Sequence, residues 1–404
     1  MVDRWQTGSV APVDRSWREL ILADGRALLS RIRAGAASDD EVQLVSGVDV
    51  EGRVADQHLA ARAGLLWALQ YDHEPTDDDL LRRLLAAESV WSAVRPFQGL
   101  SDELRLAAFL VASHPREGDV ELMWAAKRSN FDAWCGFDGR FLGCRGVGDM
   151  LAVATSGAAE VDGLLDVVTS ESGEVFFTDG EVAEFIGSLV EEFPASPDGE
   201  WPSTWVRRGL FLGRSDLASA ALDDWIGSDE PPTARTRSRL LADCARFSEA
   251  AVVQRSIVED GVRSDRSYLD LVRLVELHRR AGELDQGVDA FGRVLVALSE
   301  LADRNGYKHR VVCEEGFALS RAIPDREIAG EVFRAAHDVA MVPFPNRNLD
   351  RDSTEYLPLV VLRAAAEAAE HVGEHETSSS YRVRADLEAA RIVQPPPGER
   401  VGRG

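Results

Sequence analysis

The side chains whose types and spacing come closest to a catalytic site lie in residues 130–149, a segment rich in glycine and aromatic residues. Cys135 or Cys144 could act as a nucleophile if a nearby cation lowered the thiol pKa, and Arg140 and Arg145 are neighbouring cations. A zinc site is not expected, because eight residues separate the two cysteines and no CxxC pair accompanies them. We predict two small, buried thiols in an aromatic pocket. The alternative is an enzyme whose site is built around Trp134, Cys135, Asp138 and Arg140.

Three other patterns come near to functional motifs but lack residues that the chemistry requires. The glycines of 143–148 follow no predicted strand and do not precede the lysine and hydroxyl residue of a phosphate-binding loop. His371 and His375 have the spacing of two ligands on one helix face, but a glycine lies between them, and we interpret them as surface histidines. The alternating Asn and Asp residues of 346–352 lack the glycine and the closing glutamate of a calcium loop. We therefore assign no catalytic residue, cofactor or metal from the sequence.

The net charge of −24 is concentrated in the first half of the 404-residue chain. Residues 1–200 contain 17 basic and 36 acidic side chains, and the stretch 146–206 contains 13 carboxylates and no Lys, Arg or His. Such a surface repels nucleic acid, and basic residues do not cluster with aromatic residues in the sequence. Two interpretations stay open, namely a solvated acidic surface and a docking surface for a basic partner.

The sequence also carries information on the compartment. The first thirty residues show no secretory signal, and no apolar run approaches the roughly 18 residues of a membrane span. The four cysteines are too few and too scattered for a disulfide framework. We expect a soluble, cytoplasmic protein that does not bind membranes.

Composition and periodicity divide the chain into four parts. We predict a flexible tail at residues 1–13. We predict a disordered tail at residues 394–404, because proline and glycine, which interrupt helices, are frequent there. Residues 14–192 show helical periodicity and are predicted to form an N-terminal helical region. The prolines of 193–203 indicate a boundary, after which residues 203–393 are predicted to form helical repeats.

Local signals in the N-terminal region add detail. Thr76, Ser101 and Thr178 each stand where a helix N-cap is expected. The glycine density of 130–149 predicts that no regular helix forms there. Short runs at 167–169 and 174–178 predict the only β-hairpin.

A small residue recurs at the opening of five apolar helices in the second half of the chain. The steps between successive small residues are 32, 37, 42 and 49 residues. Because a small side chain lets two helices of a hairpin approach closely, this recurrence predicts stacked antiparallel helix pairs and an all-α fold. The five positions are Ala218, Ala250, Gly287, Ala329 and Ser378.

The residues of these helices resemble the tetratricopeptide family. Ala329, Phe333 and Ala336 match the spacing of the family's second helix, and the turn 280–284 is similar to its turn. The family's tyrosine and closing proline positions are occupied by His278 and Ser299. The resemblance covers about 203–393 and implies a solenoid that binds a protein or peptide along a groove lined by the first helix of each pair. It implies contacts to a partner from Tyr268, Arg279, Tyr307 and Lys308.

We expect this chain to be a scaffold or adaptor for a protein partner. The acidic stretch favours a basic partner and, more specifically, an immunity or antitoxin-like protein that neutralises a basic toxin. The enzyme with a site in 130–149 is the alternative function. Trp134, Asp138 and Arg140 of that segment are further candidates for partner contacts.

Overall fold

Nineteen α-helices provide almost all of the regular structure in the described part of the chain. The computed structural model describes residues 17–48, 54–95, 99–261, 267–300, 306–341 and 357–393. The all-α fold class is confirmed. The chain divides into two compact units, residues 1–224 and 225–404, and the proline-rich segment 193–203 lies inside unit 1. Both predicted tails and the calcium-like segment 346–352 lie outside the described residues.

Unit 1 is built around a layer of longer helices. Helices α1 and α2 pack against each other, α3 packs against α4 and α5, and α2 also contacts α4. The unit contains α1 (Trp17–Arg33), α2 (Leu59–Asp72), α3 (Asp78–Val94), α4 (Asp102–Ser113), α5 (Asp119–Lys127), α6 (Phe131–Gly136), α7 (Val147–Ala154), α8 (Leu164–Val168), α9 (Asp179–Glu192), α10 (Pro202–Phe211) and most of α11 (Ser215–Ile226).

A short antiparallel hairpin that the sequence patterns do not predict precedes α2. Strands β1 (Ser46–Val48) and β2 (Val54–Asp56) pair with Ser46 opposite Asp56. The side chain of Asp56 accepts hydrogen bonds from the main-chain N–H groups of Val45 and His58, both at 3.0 Å. This buried carboxylate therefore ties the hairpin to the start of α2.

Two of the three predicted N-caps are confirmed. The Ser101 hydroxyl accepts a hydrogen bond from Leu104 N, and the Thr178 hydroxyl accepts one from Glu181 N. Thr76 is not the cap of α3. It lies inside a 3₁₀ turn, Pro75–Asp77, and the reciprocal bonds at that turn join Glu74 and Asp77. The 3₁₀ turn places the capping residue, Glu74, two residues before the position that the sequence pattern predicts.

The two predictions about irregular segments are wrong in part. Residues 167–168 end helix α8, and only the single bridge between Thr169 and Val175 survives from the predicted hairpin. The segment 130–149 is more helical than its glycine content predicts, since it contains α6, a 3₁₀ turn at Gly139–Gly143 and the start of α7. Of its five glycines only Gly146 has a positive φ, 108°, so the other four are compatible with helical backbone.

Unit 2 is a succession of helix hairpins. Each helix packs against the next, and the first helices of successive pairs also contact each other, as α14 does with α16 and α16 with α18. This is the packing of a helical repeat. The helices are α12 (Ala234–Asp243), α13 (Phe247–Asp260), α14 (Ser267–Ala281), α15 (Leu284–Ser299), α16 (Gly306–Ala322), α17 (Arg326–Ala340), α18 (Leu359–Val372) and α19 (His375–Val393).

Four of the five small residues lie at contacts between the two helices of a hairpin, while the nearest side chain to Gly287 is Leu319 of α16. Ala218 is fully buried. A Cβ added to Gly209 on the facing helix would lie 2.8 Å from the main-chain nitrogen of Ala218. Serine hydroxyls bridge three of the other hairpins by donating to a carbonyl oxygen of the facing helix. These bonds are Ser238 Oγ to Ala250 O at 3.3 Å, Ser320 Oγ to Ala329 O at 2.9 Å, and Ser378 Oγ to Ala366 O at 2.9 Å.

Candidate functional site

A cleft of about 680 Å³ lies in unit 1, where the segment 130–149 meets helix α9. Asp138 and Arg140 line it from the segment, and Glu181, Glu184 and Phe185 line it from the helix. Val167, Phe176 and Phe177 close its apolar side. The cleft therefore combines aromatic walls with an acidic rim.

Two capping side chains hold the segment in place. The Asn130 side chain accepts a hydrogen bond from Ala133 N at 2.7 Å and starts α6. The Asp138 carboxylate accepts one from Arg140 N at 2.9 Å and starts the 3₁₀ turn. Gly143 is required for close packing, because a Cβ there would lie 2.8 Å from Cγ2 of Val182. Local polar caps and one close approach thus bring the segment against α9.

Asp138 and Arg140 form an ion pair at the mouth of the cleft. Arg140 Nη2 lies 2.7 Å from Asp138 Oδ2, and the guanidinium carbon lies 4.2 Å from the centroid of the Phe185 ring. Burial by itself would raise the pKa of Asp138, but the hydrogen bonds from Arg140 outweigh it and the pKa is lowered. An aspartate in this state is ionised at neutral pH and is a weak base.

Lys127 is nearly buried beside this ion pair. Its Nζ donates to the carbonyl oxygens of Trp134 and Phe137, at 3.0 and 2.8 Å. Burial lowers the pKa of Lys127, and the nearby Asp138 acts in the opposite direction. The ammonium group therefore fixes the backbone between α6 and the 3₁₀ turn.

The remaining residues of the predicted enzyme site lie outside the cleft lining. Trp134 is 44% exposed and packs edge-on against Trp124. The prediction of two buried thiols is wrong for Cys135, which is exposed. Cys144 is partly buried, and burial raises its pKa to about 12, so its thiol is protonated at neutral pH. Neither Cys144 nor Asp138 has the properties of an activated catalytic group.

The acidic stretch 146–206 divides into structural and free carboxylates. Six of its thirteen have a partner: Asp149, Glu192, Asp198 and Glu200 pair with arginines, Asp179 accepts the Val147 N–H, and Glu181 completes the Thr178 cap. The other seven are exposed, and no ion pair joins them to any residue that the structure describes. They are Glu160, Asp162, Asp166, Glu171, Glu174, Glu184 and Glu191.

Large apolar side chains are exposed among these free carboxylates. Phe176 is 61% exposed, Val190 is 51% exposed and Leu165 is 38% exposed. We call the seven free carboxylates together with these three apolar residues the acidic surface. Exposed apolar side chains among carboxylates of one charge sign are typical of an interaction surface.

The candidate contacts in unit 2 lie in different environments. Tyr268 is only 3% exposed, so its ring belongs to the core. Lys308 Nζ lies 5.9 Å from the centroid of that ring. Arg279 Nε pairs with Glu315 Oε1 at 2.7 Å. Tyr307 lies in α16, and its side chain is outside what the structure describes.

Sequence reasoning missed a cluster of possible ligands at the ends of α2 and α4. Among the described residues, His73, Asp78 and His114 are the group whose ligand atoms lie within 4.8 Å of one another. Asp78 Oδ1 lies 2.9 Å from His73 Nε2, and its other oxygen accepts from Arg116. Arg116 donates to the Asp78 carboxylate, and Arg82 donates to the carbonyl oxygen of His114 at the end of α4. Because these guanidinium groups already occupy the cluster, we interpret it as a charge network. His73 and His114 are distant in sequence, so no local spacing indicates their contact.

The interpretation of His371 and His375 as surface histidines holds for His375, whereas His371 is half-buried. His371 Nε2 hydrogen bonds with Ile323 O at 2.9 Å, while His375 is exposed beside Glu370. No helix among the described residues has the length and apolar character needed to cross a membrane. No protein-family model matches the chain, and no curated protein is similar enough to count as a relative.

Proposed function

We propose that this protein is a helical-repeat adaptor that binds a basic protein segment through the acidic surface of unit 1. The observation that carries the proposal is the set of seven exposed carboxylates without an ion-pair partner in the described residues, interleaved with exposed Leu165, Phe176 and Val190. A segment with alternating basic and apolar side chains would neutralise the first group and cover the second.

The charge of the surface predicts how binding depends on salt. Exposed ion pairs are screened as ionic strength rises, whereas contacts between apolar side chains are not. The carboxylates should therefore accelerate association and select basic partners, while the apolar side chains limit dissociation. Glu184 and Phe176 of this surface also line the cleft, whose wall includes the Phe185 ring.

We further propose an identity for the partner and a role for unit 2. The partner is a basic toxin, and the protein acts as an immunity or antitoxin-like inhibitor in the cytoplasm, where its four free cysteines stay reduced. The hairpins of unit 2 form a tetratricopeptide-like frame that offers a second contact area. The small-residue spacing and the contacts between successive first helices support that assignment.

Charge reversal on the acidic surface tests the proposal. We expect Glu174→Lys, Glu184→Lys and Glu191→Lys together to weaken partner binding by roughly tenfold or more, because each exposed pair contributes about 0.2–1 kcal/mol. The measurement is affinity capture with mass spectrometry on the full chain, followed by titration of the captured partner at about 50 and about 500 mM salt.

A matched control changes the same charge elsewhere. Glu259→Lys, Asp289→Lys and Glu331→Lys alter exposed carboxylates of unit 2 and leave the acidic surface intact. We expect this variant to retain nearly wild-type binding after correction for net charge. Equal losses in the two triple variants, or binding that does not respond to salt, would contradict the proposal.

A further inference from the structure

A second cavity in unit 1, of about 260 Å³, has aromatic walls and an acidic floor. Among its lining residues, Trp67 and Phe193 are buried, while Trp201 and Phe211 are exposed. The Trp67 and Phe211 rings pack edge to face with centroids 5.7 Å apart. Trp67 lies in α2 and Phe211 in α10, while Phe193 directly follows α9 and Trp201 directly precedes α10. Helix α4 contributes the acidic side of the cavity, so regular structure holds both sides.

Three of the four carboxylates at the cavity are neutralised by arginines. Asp102 pairs with Arg207 at 2.7 Å, and Glu200 pairs with Arg208 at 3.1 Å. Glu192 pairs with Arg105 at 2.5 Å. For the fourth, Glu103, no ion pair is found among the residues that the structure describes. The net charge of the cavity is therefore the charge of Glu103.

Glu200 contributes a second, independent observation. Its side chain is 99% buried, and its Oε1 accepts hydrogen bonds from Gln70, Tyr71 and Arg208. Its Oε2 is buried and has no hydrogen-bonding partner within the described residues, and Glu200 is one of the residues that line the cavity. Because buried carboxylate oxygens are almost always paired in native proteins, this unpaired oxygen on a cavity residue can accept a further hydrogen bond from a donor that enters beside it.

We propose that this cavity binds an organic cation, a primary ammonium or guanidinium group on a short aliphatic chain. Glu103 provides the counter-charge. Arg208 and Arg105 already lie over the Trp67 and Phe193 rings, so the exposed Trp201 and Phe211 rings are the ones that can attract a further cation. Arg207 and Arg208 do not oppose binding, since each already has a carboxylate partner. The cavity is wide and partly aromatic, which suits an organic cation better than a metal ion with its shell of oxygen ligands.

The ionisation of Glu103 gives the proposal a measurable signature. Burial raises the pKa of Glu103 to about 7, with Glu88 and Asp102 acting in the same direction and Arg208 opposing them. The protonated acid cannot balance a cation, so binding is weak below this pKa and strong above it. Binding near neutral pH should therefore release a proton.

The test is calorimetric titration of the full chain with two probes, agmatine and N-acetylarginine amide. We expect agmatine affinity to rise about tenfold from pH 6 to pH 8, as follows from a pKa of about 7. The binding heat should also vary with buffer, because a proton is released. Binding of both probes identifies a peptide side chain as a possible source, whereas binding of agmatine alone identifies a free amine.

Two variants and an uncharged probe complete the experiment. Glu103→Gln should remove the pH dependence and weaken agmatine binding, while Glu117→Gln, at an exposed position of the same unit, should change neither. Retained tryptophan fluorescence and circular dichroism show that each variant is folded. The proposal would be overturned if butanol bound as tightly as agmatine or if the cavity bound acetate instead of agmatine. It would also be overturned if Glu103→Gln kept the wild-type dependence of agmatine binding on pH.

This inference does not rest on the proposed partner. A small amine can fill the cavity whether or not a basic protein binds the acidic surface, since the seven free carboxylates of that surface are not in the cavity lining. Failure of the triple charge reversal and failure of the agmatine titration are therefore separate results.

Discussion

Replacement of Arg62 by alanine is expected to lower the free energy of unfolding of unit 1 by about 3–5 kcal/mol. The guanidinium is fully buried and lies between two carboxylates, with Nη1 at 2.6 Å from Asp56 Oδ2 and Nε at 2.7 Å from Glu88 Oε1. Its removal leaves two buried anions without a cation. Because Asp56 also holds the main chain at Val45 and His58, the damage should extend to the β-hairpin.

Tryptophan fluorescence during urea unfolding measures this loss of stability directly. Eight of the nine tryptophans lie before residue 225, so tryptophan fluorescence during urea unfolding reports mainly on unit 1. Arg31→Ala is the matched control, since Arg31 pairs with Glu41 at the surface. We expect that control to lose less than about 1 kcal/mol. Comparable losses in the two variants would contradict the role assigned to the buried arginine.

The dependence on pH distinguishes lost charge compensation from lost packing. Burial raises the pKa of Glu88 even in the presence of Arg62, and without the arginine the pKa should rise further. A group whose pKa is raised on folding contributes stability at low pH and loses it as pH rises through the folded value. The destabilisation by Arg62→Ala should therefore be larger at pH 8 than at pH 5. A cavity left by lost packing would give the same loss at both.

Whole-network replacement gives the complementary result. Arg62→Met, Asp56→Asn and Glu88→Gln together remove all three charges, and Asn keeps the oxygen that accepts the two main-chain N–H groups. We expect this triple variant to be far closer to wild type than Arg62→Ala, because no buried charge is left without a partner.

The helical hairpins of the second half could be predicted because their signals are local. A small residue shortly after a turn lets two successive helices approach closely, and Ala218, Ala250 and Ala329 are fully buried at contacts between the helices of their hairpins. The caps at Ser101 and Thr178 are local in the same sense, since each side chain bonds to an N–H three residues later.

The sites of unit 1 depend on contacts between distant segments, and single-sequence patterns do not encode these. Asp56 and Glu88 meet at Arg62, and Glu200 meets Gln70 and Tyr71, only after the helices have packed. The segment 130–149 shows the same limit. Its glycine content predicts irregular backbone, but the Asn130 and Asp138 caps and the packing of Phe141 against Phe185 stabilise short helical turns.

Substitution of Gly25 by alanine is expected to cost unit 1 roughly 2 kcal/mol. A Cβ at Gly25 would lie 2.0 Å from the carbonyl oxygen of Gly64, so helices α1 and α2 would have to separate. Overpacking of this kind costs up to about 3 kcal/mol, and the better helix propensity of alanine returns about 1 kcal/mol. Urea unfolding monitored by tryptophan fluorescence measures the difference.

The facing glycine is the matched control, because the contact is asymmetric. A Cβ at Gly64 would lie 3.6 Å from Cα of Gly25, an ordinary van der Waals distance, so Gly64→Ala should leave stability unchanged or raise it by up to about 1 kcal/mol. Equal losses at the two positions would mean that the helices do not cross as the structure has them.

The same pair of variants connects this helix crossing to the cation cavity. Helix α2 carries Trp67 in the cavity wall, as well as Gln70 and Tyr71, which hold the Glu200 carboxylate. Separation of α1 from α2 would move these three side chains, so Gly25→Ala should also weaken agmatine binding under conditions where the variant is still folded. Gly64→Ala should bind agmatine as the wild type does, because helix α2 and the cavity wall that it carries stay in place.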